Sequence, residues 1–163
     1  MAESKNNKIR LVVVTPYKTF YDDLVDIITV TSSDGEFGVM FGHSPLVAAL
    51  KPGVCRIHND GEVNMFSCSE GYAEITRERV LIICNSAEWP DDISITRIVD
   101  AYIDASGKIE EEMRLKREEG IEMTSDSINL LARSKARMHL IELMGNDSQK
   151  DRLARLRAER GID

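Results

Sequence analysis

Histidines, cysteines and paired acidic residues are the side chains from which a catalytic or metal site would be built. The three histidines, His43, His58 and His139, lie far apart in the sequence, and none falls in a cluster with the spacing of metal ligands. Phosphate-binding and nucleophile motifs such as GxGxxG and GxSxG are absent. The acidic pairs Asp22-Asp23 and Asp91-Asp92 fall where turns or helix starts are expected, so solvation explains them. The sequence therefore predicts that the chain is not an enzyme and binds no metal.

The cysteines and the charge exclude further classes of protein. Cys55, Cys68 and Cys84 are odd in number, widely spaced and without a CxxC pair, which predicts buried, reduced thiols and not a disulfide framework. A net charge of -7 and a pI near 5.1 make nucleic acid an unfavourable partner. No apolar run is long enough to span a bilayer, and the polar first residues contain no targeting signal. We therefore expect the chain either to stay where it is made or to be exported by a route that leaves no signal in the sequence.

The first half of the chain reads as short β segments separated by turn signals. Asn59-Asp60-Gly61 between two apolar runs is a hairpin signal. Segments at this spacing predict a sandwich or a flattened barrel. The predicted segments are Ile9–Val14, Val25–Thr31, Gly53–His58, Val63–Ser67, Gly71–Ile75 and Val80–Cys84.

The pattern changes to a helical period after Trp89-Pro90, where the acidic pair Asp91-Asp92 suits a helix start. Gly107 is a weak point within the first predicted helix, and Gly120 ends it. Thr124 or Ser125 can cap a second helix. A short connection requires the two helices to lie antiparallel. The prediction is therefore a β docking domain over 1–90 and a helical hairpin with a basic C-terminal tail over 91–163.

The helical part has segregated charge, because residues 91–123 are net acidic and 124–163 are net basic. Both can be solvated helix faces that help the helices pair. Alternatively, Arg133, Lys135 and Arg137 reach an acidic surface on a partner. The tail after Gly145 is either a frayed helix or an additional contact.

The most unusual stretch runs from Asp34 to Val47 and combines three glycines, a proline, two phenylalanines and a histidine. It predicts a short strand flanked by tight turns, with large apolar groups near the surface. Glycines permit backbone angles that other residues resist, so the segment can present a rigid, partly apolar loop to a partner. The alternative is a sandwich corner that binds nothing.

In its motifs the chain resembles the epsilon subunit of the rotary F-type ATP synthase, which is called delta in mitochondria. The resemblance runs through residues 9–88 without a large gap, and the long central motif is its most specific part. The matching stretches are Val14-Thr15-Pro16, Ser33 to Leu46, Leu50-Lys51-Pro52-Gly53, Ser69-Glu70-Gly71-Tyr72, Glu74-Ile75, Val80-Leu81-Ile82 and Ser86-Ala87-Glu88.

The resemblance implies a mainly β plus α protein, with a ten-stranded β-sandwich followed by an antiparallel two-helix hairpin. It implies that the sandwich grips the gamma subunit and rests on the ring of membrane c subunits. Glu36 and His43 stand at the family's positions for the contact with the ring and gamma, next to Gly42. Phe41 replaces the family's usual proline before the Gly-His pair, a change that can reshape the loop without removing the contact.

For the hairpin, the resemblance implies a compact arrangement and an extended one that enters the alpha/beta catalytic hexamer and blocks ATP hydrolysis. Arg133, Lys135 and Arg137 are the candidates for its contact with an acidic segment of a catalytic subunit. Some members bind ATP through an Ile/Leu-Asp-x-x-Arg-Ala motif. Arg97 matches its arginine and is a weak ATP candidate, but Ser94 and Ile98 depart from the motif, so no cofactor is expected.

The resulting expectation is a peripheral subunit on the cytoplasmic face of an energy-transducing bacterial membrane, in contact with the membrane only through the c-ring. Two other functions fit the residues. One is an adaptor, in which the sandwich binds peptides or sugars and the hairpin forms oligomers; it would not depend on gamma. The other is a small jelly-roll enzyme with His43 or His58 and nearby carboxylates in a surface pocket.

Overall fold

The computed structural model describes residues 7–120 and 122–163. The chain divides into two compact units, one ending at Ala87 and one from Glu88 to Asp163. The first unit is built of β-strands and the second is mainly helical. The predicted domain boundary after residue 90 implies that residues 1–90 fold independently, and this stays a prediction.

Ten strands form one continuous sheet in the order β10-β7-β6-β3-β5-β8-β9-β1-β2, with β4 paired to β3 beside this path. Neighbouring strands are antiparallel in the described pairs except β1 and β9, which run parallel. The strands are β1 (Ile9–Val14), β2 (Thr19–Val25), β3 (Ile27–Ser32), β4 (Gly35–Val39), β5 (Leu46–Leu50), β6 (Gly53–Asn59), β7 (Glu62–Cys68), β8 (Gly71–Ile75), β9 (Arg79–Cys84) and β10 (Ala87–Glu88).

The sheet folds over an apolar core supplied by alternate residues of its strands. In β1, Ile9, Leu11 and Val13 are buried while the residues between them face outward, as the two-residue period of a strand requires. The two ends of the sheet approach each other, since β2 contacts β6 and the Phe20 and Phe66 rings lie 5.2 Å apart. The predicted sandwich is therefore confirmed, in a form close to a flattened barrel.

Most of the predicted β segments correspond to strands of the structure, but one predicted segment proves to be parts of two strands. Two predicted strands, Ile9–Val14 and Gly71–Ile75, coincide with β1 and β8. The predicted single run Val25–Thr31 is instead the end of β2 and most of β3, because Asp26 turns the chain. The Asp26 amide donates to the His58 carbonyl at 2.9 Å, and its carboxylate accepts from the Asp60 amide at 2.8 Å. Strands β2, β5 and the two-residue β10 were not predicted.

The predicted hairpin signal at residues 59–61 is confirmed. Asn59 pairs with Glu62, so β6 and β7 are joined by the two residues Asp60 and Gly61. Both have positive φ, 51° and 81°, which is the requirement of a type I′ turn.

The helical unit contains a short 3-10 helix (Pro90–Asp92) and three α-helices: α1 (Ile95–Glu119), α2 (Ser125–Met144) and α3 (Asp147–Arg160). As predicted, α1 continues through Gly107 and ends at Gly120, whose φ of 73° and N–H bond to the Lys116 carbonyl form a C-cap. Thr124 is the N-cap of α2. No helix among the described residues is long and apolar enough to cross a bilayer.

The turn between α1 and α2 is closed by one carboxylate. Glu112 of α1 accepts hydrogen bonds from the Thr124 amide at 3.1 Å, the Thr124 hydroxyl at 3.0 Å and the Ser127 hydroxyl at 2.6 Å. The bond from Ser127, with those from Thr124, lowers the pKa of Glu112. These bonds satisfy donors at the start of α2 and hold the two helices antiparallel, as the sequence predicts.

Two features of the helical unit differ from the sequence expectation. Asp91-Asp92 do not open the first helix, because Pro90 begins a separate 3-10 turn and α1 starts after the N-cap Ser94. The tail after Gly145 is not frayed, because it forms α3 and contacts both other helices, while most of its side chains are exposed. The two predicted helices are thus joined by a third, which contacts them within the helical unit.

Candidate functional site

The loop from Met40 to His43 is held in one conformation by its backbone. Gly42 has a φ of 84°, and its N–H donates to the Arg77 carbonyl at 2.7 Å, which fastens the loop to the turn between β8 and β9. The His43 N–H donates to the Met40 carbonyl at 3.2 Å. The side chains of Met40 and Phe41 are 57% and 43% exposed. The fold therefore presents two apolar side chains on an anchored loop, as the sequence predicts.

The imidazole ring of His43 forms a hydrogen bond within the loop. Its Nδ1 lies 2.7 Å from the Ser44 carbonyl oxygen, and because a carbonyl can only accept, Nδ1 carries the proton. Among the described residues, no group of three His, Cys, Asp or Glu side chains could hold a metal ion, so neither His43 nor His58 belongs to such a group.

Glu36 lies apart from the other predicted contact residues. It stands on β4 one position after the tight turn that joins β3 to β4, whereas Phe41, Gly42 and His43 follow the opposite end of that strand. Its carboxylate accepts from Arg56 Nη1 at 2.7 Å across β3, and both side chains are partly exposed. The structure therefore brings together three of the four predicted residues of the sandwich and places Glu36 in a separate ion pair.

A second surface of the sandwich was not predicted from the sequence. Val47 of β5, Tyr72 of β8 and Ile83 of β9 point away from the core and are 69%, 62% and 54% exposed. Tyr72 is the register partner of both Ala49 and Ile83, and Ile83 pairs with Val14 of β1, so a row of apolar side chains crosses four strands. Val47 lies beside this row, opposite Glu74. We call this surface the outer apolar face.

A shallow groove of about 530 Å³ lies at one end of the outer apolar face. Its rim includes a polar pair in which Asn85 Nδ2 donates to Glu70 Oε1 at 3.1 Å. Gly71 is required here, since a Cβ at this position would lie 2.1 Å from the Ile83 carbonyl oxygen. The groove is lined by Val14, Thr15, Pro16, Ala49, Leu50, Glu70, Gly71, Tyr72, Ile83, Cys84 and Asn85.

One sequence signal could have identified this face. Residues Val80–Cys84 are apolar without alternation, and strands of that kind are usually covered on both sides of the sheet. In this unit Val80 and Ile82 fill the core, while Ile83 is exposed. An apolar patch spanning several strands is typical of a protein interaction site.

The predicted basic residues of α2 differ in their surroundings. Arg137 is half-buried and its guanidinium Nε donates to the Glu88 carboxylate within the helical unit. Lys135 is exposed, and Arg133 is half-buried. Positions 133 and 137 share one side of the helix, whereas 135 faces away from them. The three residues thus do not form a single exposed cluster in this arrangement.

Arg97 is exposed on the first turn of α1, with Ser94 as the N-cap in place of the aspartate of the ATP motif. The neighbouring Thr96 hydroxyl accepts a hydrogen bond from Arg152 of α3 at 2.9 Å. Part of the stretch that the motif would use is therefore already occupied by the protein's own side chain.

The three thiols are buried in the sandwich and unpaired by disulfide. Hydrogen bonding with Cys55 and burial raise the pKa of Cys68 well above its ordinary value. Hydrogen bonding with Cys68, followed by burial, raises the pKa of Cys84 strongly. Because the thiolate is the reactive form, the raised pKa values make Cys68 and Cys84 poor nucleophiles, and all three cysteines are buried, as the sequence predicts.

The architecture is thus a ten-stranded β unit followed by a helical unit. Residues 8–90 match the model of the ATP synthase delta/epsilon chain β-sandwich domain. The ATP synthase epsilon chain of Alkaliphilus oremlandii is 42% identical over 92 residues, which are 56% of this chain and 69% of the relative. That of Geotalea daltonii is 35% identical over 107 residues, which are 66% of this chain and 75% of the relative.

Two solved structures share the fold at low sequence identity. A chain of the Euglena gracilis mitochondrial ATP synthase has a TM-score of 0.62 and 21% identity, with 84% of this chain and 81% of that one covered. A chain of the Tetrahymena thermophila mitochondrial ATP synthase has a TM-score of 0.51 and 14% identity, with 85% and 97% covered.

The chain belongs to the ATP synthase delta/epsilon chain family. Epsilon chains are non-catalytic subunits, so family membership agrees with the sequence prediction that this chain is not itself an enzyme. The matched stretches span from 62% to 79% of the lengths of the similar relatives, and the family model covers the sandwich.

Proposed function

We propose that this chain is an epsilon-type subunit of the central stalk, which links gamma to the c-ring and inhibits ATP hydrolysis through its helical unit. The relatives named ATP synthase epsilon chain come from bacteria, and the two structures with this fold are titled as parts of the F1, central stalk or c-ring. The proposed location is the cytoplasmic face of a bacterial membrane, with contact to the membrane only through the c-ring.

The observation that carries the docking role is the outer apolar face. A soluble sheet rarely leaves Val47, Tyr72 and Ile83 uncovered on three neighbouring strands, and tyrosine is among the residues that contribute most to binding energy. The groove beside Tyr72 can receive a side chain of the partner, and the Glu70–Asn85 pair supplies a polar rim. We assign this face to the gamma subunit.

The anchored loop is assigned to the c-ring. Met40 and Phe41 project from a backbone that Gly42 fixes to the β8–β9 turn, so the loop is already ordered before it binds. A preordered loop loses little conformational entropy on association. Glu36 and His43 are proposed to contribute to the contacts with the ring and gamma, with Glu36 acting from its ion pair with Arg56.

The inhibitory role is assigned to the helical unit. Arg133, Lys135 and Arg137 are proposed to meet an acidic segment of a catalytic subunit. Arg137 can do so only after it leaves Glu88, so binding to the hexamer competes with an ion pair inside the unit. Such competition is what allows a change of arrangement to control inhibition.

The test is ATP hydrolysis by the cognate alpha-beta-gamma complex, titrated with the full chain and with residues 1–90. We expect both to bind and only the full chain to slow hydrolysis. Equal inhibition by the two chains would reject the helical brake. If neither associates with the complex, the adaptor function, which does not depend on gamma, is the better description.

A matched pair of substitutions tests the docking face. Val47→Asp places a charge on the outer apolar face, and Val63→Asp makes the same change on β7, an exposed position on a different part of the sheet. We expect Val47→Asp to weaken binding to gamma at least about tenfold, the cost of burying an unpaired charge in an interface, while Val63→Asp binds normally. Similar losses from both variants would contradict the assignment.

A further inference from the structure

Helix α3 carries its contacts along one side. Residues three or four positions apart share a face of a helix, and the α3 side chains with contacts to the rest of the helical unit follow that spacing. They are Gln149, Arg152, Leu153, Arg157 and Arg160. This helix lies beyond the sandwich that matches the family model, and the chain is longer than its relative from A. oremlandii, since 92 residues are 69% of that protein.

Three of these contacts reach α1 and the turn before it. Gln149 Nε2 donates to the Pro90 carbonyl at 2.9 Å, and Arg152 Nη2 donates to the Thr96 hydroxyl at 2.9 Å. Arg160 lies 3.9 Å from the Asp100 carboxylate. Later residues of α3 contact later residues of the segment from Pro90 to Asp100, so α3 runs beside the first half of α1 in the same direction.

The remaining contacts fasten α3 to the end of α2. The Arg157 guanidinium is paired with the Glu142 carboxylate, and both side chains are only partly exposed. Leu153, four residues earlier, is 2% exposed. Only Gly145 and Asn146 separate the two helices, so α3 folds back directly upon α2.

The contacts of α3 lie at one end of the α1–α2 hairpin. The α1–α2 hairpin is closed at its turn by Glu112, and its other end, where α1 begins and α2 finishes, is where the two helices would separate first. Helix α3 touches both helices at that open end, through Thr96 and Asp100 on one side and Glu142 on the other. It therefore bridges the two elements that must part for the hairpin to open.

We propose that α3 is a clasp that holds the compact arrangement of α1 and α2 and must detach before the two helices can separate. The inference deepens the proposed function, on which it rests for its regulatory meaning: the clasp sets how readily the helical unit becomes inhibitory. Its contacts are partly exposed polar bonds around one buried leucine, and each such bond is weak, so the clasp is reversible.

The experiment is hydrogen exchange on the full chain, with substitutions in the pair that joins α3 to α2. Arg157→Glu and Glu142→Arg each place like charges together, and the double variant restores an ion pair of reversed polarity. Arg155→Glu is the control, because it makes the same charge change at an exposed position of the same helix. Amides of β6 and β7 in each variant report whether the sandwich remains folded.

We expect each single variant to speed exchange in α3 and the open end of the hairpin about twofold to fivefold, the range for loss of a partly exposed ion pair. The double variant should return toward the original rates, and Arg155→Glu should not change them. Unchanged exchange in both single variants, or the same increase in Arg155→Glu, would overturn the clasp.

Inhibition of hydrolysis by the same variants separates the clasp from the proposed function. Faster exchange together with stronger inhibition at equal concentration supports both proposals. Faster exchange with the inhibition of the original chain supports the clasp and argues against the helical brake. Stronger inhibition without faster exchange overturns the clasp, because opening of the hairpin would then not depend on α3.

Discussion

At the scale of single residues, Glu112 accepts three side-chain and backbone hydrogen bonds where α1 meets the start of α2. Three donors from Thr124 and Ser127 converge on its carboxylate and favour the ionised form, which lowers its pKa. No local pattern marks this residue, since it is one of three consecutive glutamates, Glu110 to Glu112, and the helical register alone turns it toward α2.

Glu112→Gln should lower the thermal midpoint of the helical unit by roughly 2–4 °C at pH 7, because it weakens hydrogen bonds made to a charge. Since the folded pKa is lowered, the contribution is present above the unfolded pKa of about 4.5 and is lost as pH falls through the folded value. Far-UV circular dichroism of the original chain and the variant should therefore converge in acid. Glu110→Gln is the control, and an equal effect from it would refute the role of Glu112.

The buried thiols make a prediction of opposite sign in pH. Cys68 and Cys84 have raised pKa values when folded, so the unfolded chain loses thiol protons that the sandwich keeps. The free energy of unfolding should then fall above about pH 8.5, by up to about 1.4 kcal/mol per pH unit for each thiol.

Denaturant titration between neutral and alkaline pH measures this slope, and Cys84→Ala should reduce it whatever its effect on stability at pH 7. Iodoacetamide should label the native chain slowly and the unfolded chain quickly. Rapid labelling of the native protein at neutral pH would show that the thiols are accessible and would contradict the inert role.

At the scale of elements, α3 shows how a polar segment becomes a defined helix. Its sequence has few apolar residues, and of them Leu153 alone is classed as buried within the described part of the chain. The start is set locally: Asn146 Oδ1 accepts from the Gln149 amide at 2.9 Å, and Gln149 Oε1 accepts from the Asn146 amide at 3.1 Å. The rest of its support comes from Glu142, Thr96 and Asp100, which are distant in sequence.

Asn146→Ala should destabilise α3 by about 1 kcal/mol, the usual cost of an N-cap, and should raise exchange of the α3 amides about fivefold. Ser148→Ala, an exposed position in the first turn of the same helix, is the matched control. If the two variants exchange alike, the capping box does not define the start of α3.

At the scale of the whole molecule, the chain consists of a sandwich unit and a helical unit, each with its own buried apolar residues. The family model covers residues 8–90, so the sandwich is a recurrent module and a helical unit follows it.

We predict that residues 1–90 fold alone, because the ten-stranded sheet encloses its own core of alternating apolar residues. The truncated chain should unfold in one cooperative thermal transition and should lack the helical far-UV signal of the full chain. A broad, non-cooperative transition would show that the boundary after residue 90 does not define an independent domain.

Much of the fold was readable from the residues, because its causes are local. A dense β-branched run specifies β1, alternation of buried and exposed residues specifies β8, and the Asp-Gly pair specifies the β6–β7 turn. Gly120 ends α1 through a backbone angle that glycine adopts easily. The resemblance to the family was likewise recognisable from one short, uninterrupted stretch, residues 33–46.

The remaining features depend on which residues meet across long distances in sequence. Strand β2 is largely exposed and contains two aspartates, so it shows no apolar pattern that predicts a strand. Strand β5 is a short run of apolar residues without alternation, and such a run does not by itself distinguish a strand from a helix segment. The outer apolar face exists because the registers of β1, β5, β8 and β9 align side chains that are far apart in the chain. Pairing of Arg157 with Glu142, and separation of Glu36 from His43, likewise follow from the folded backbone, since no local spacing determines which side chains become neighbours.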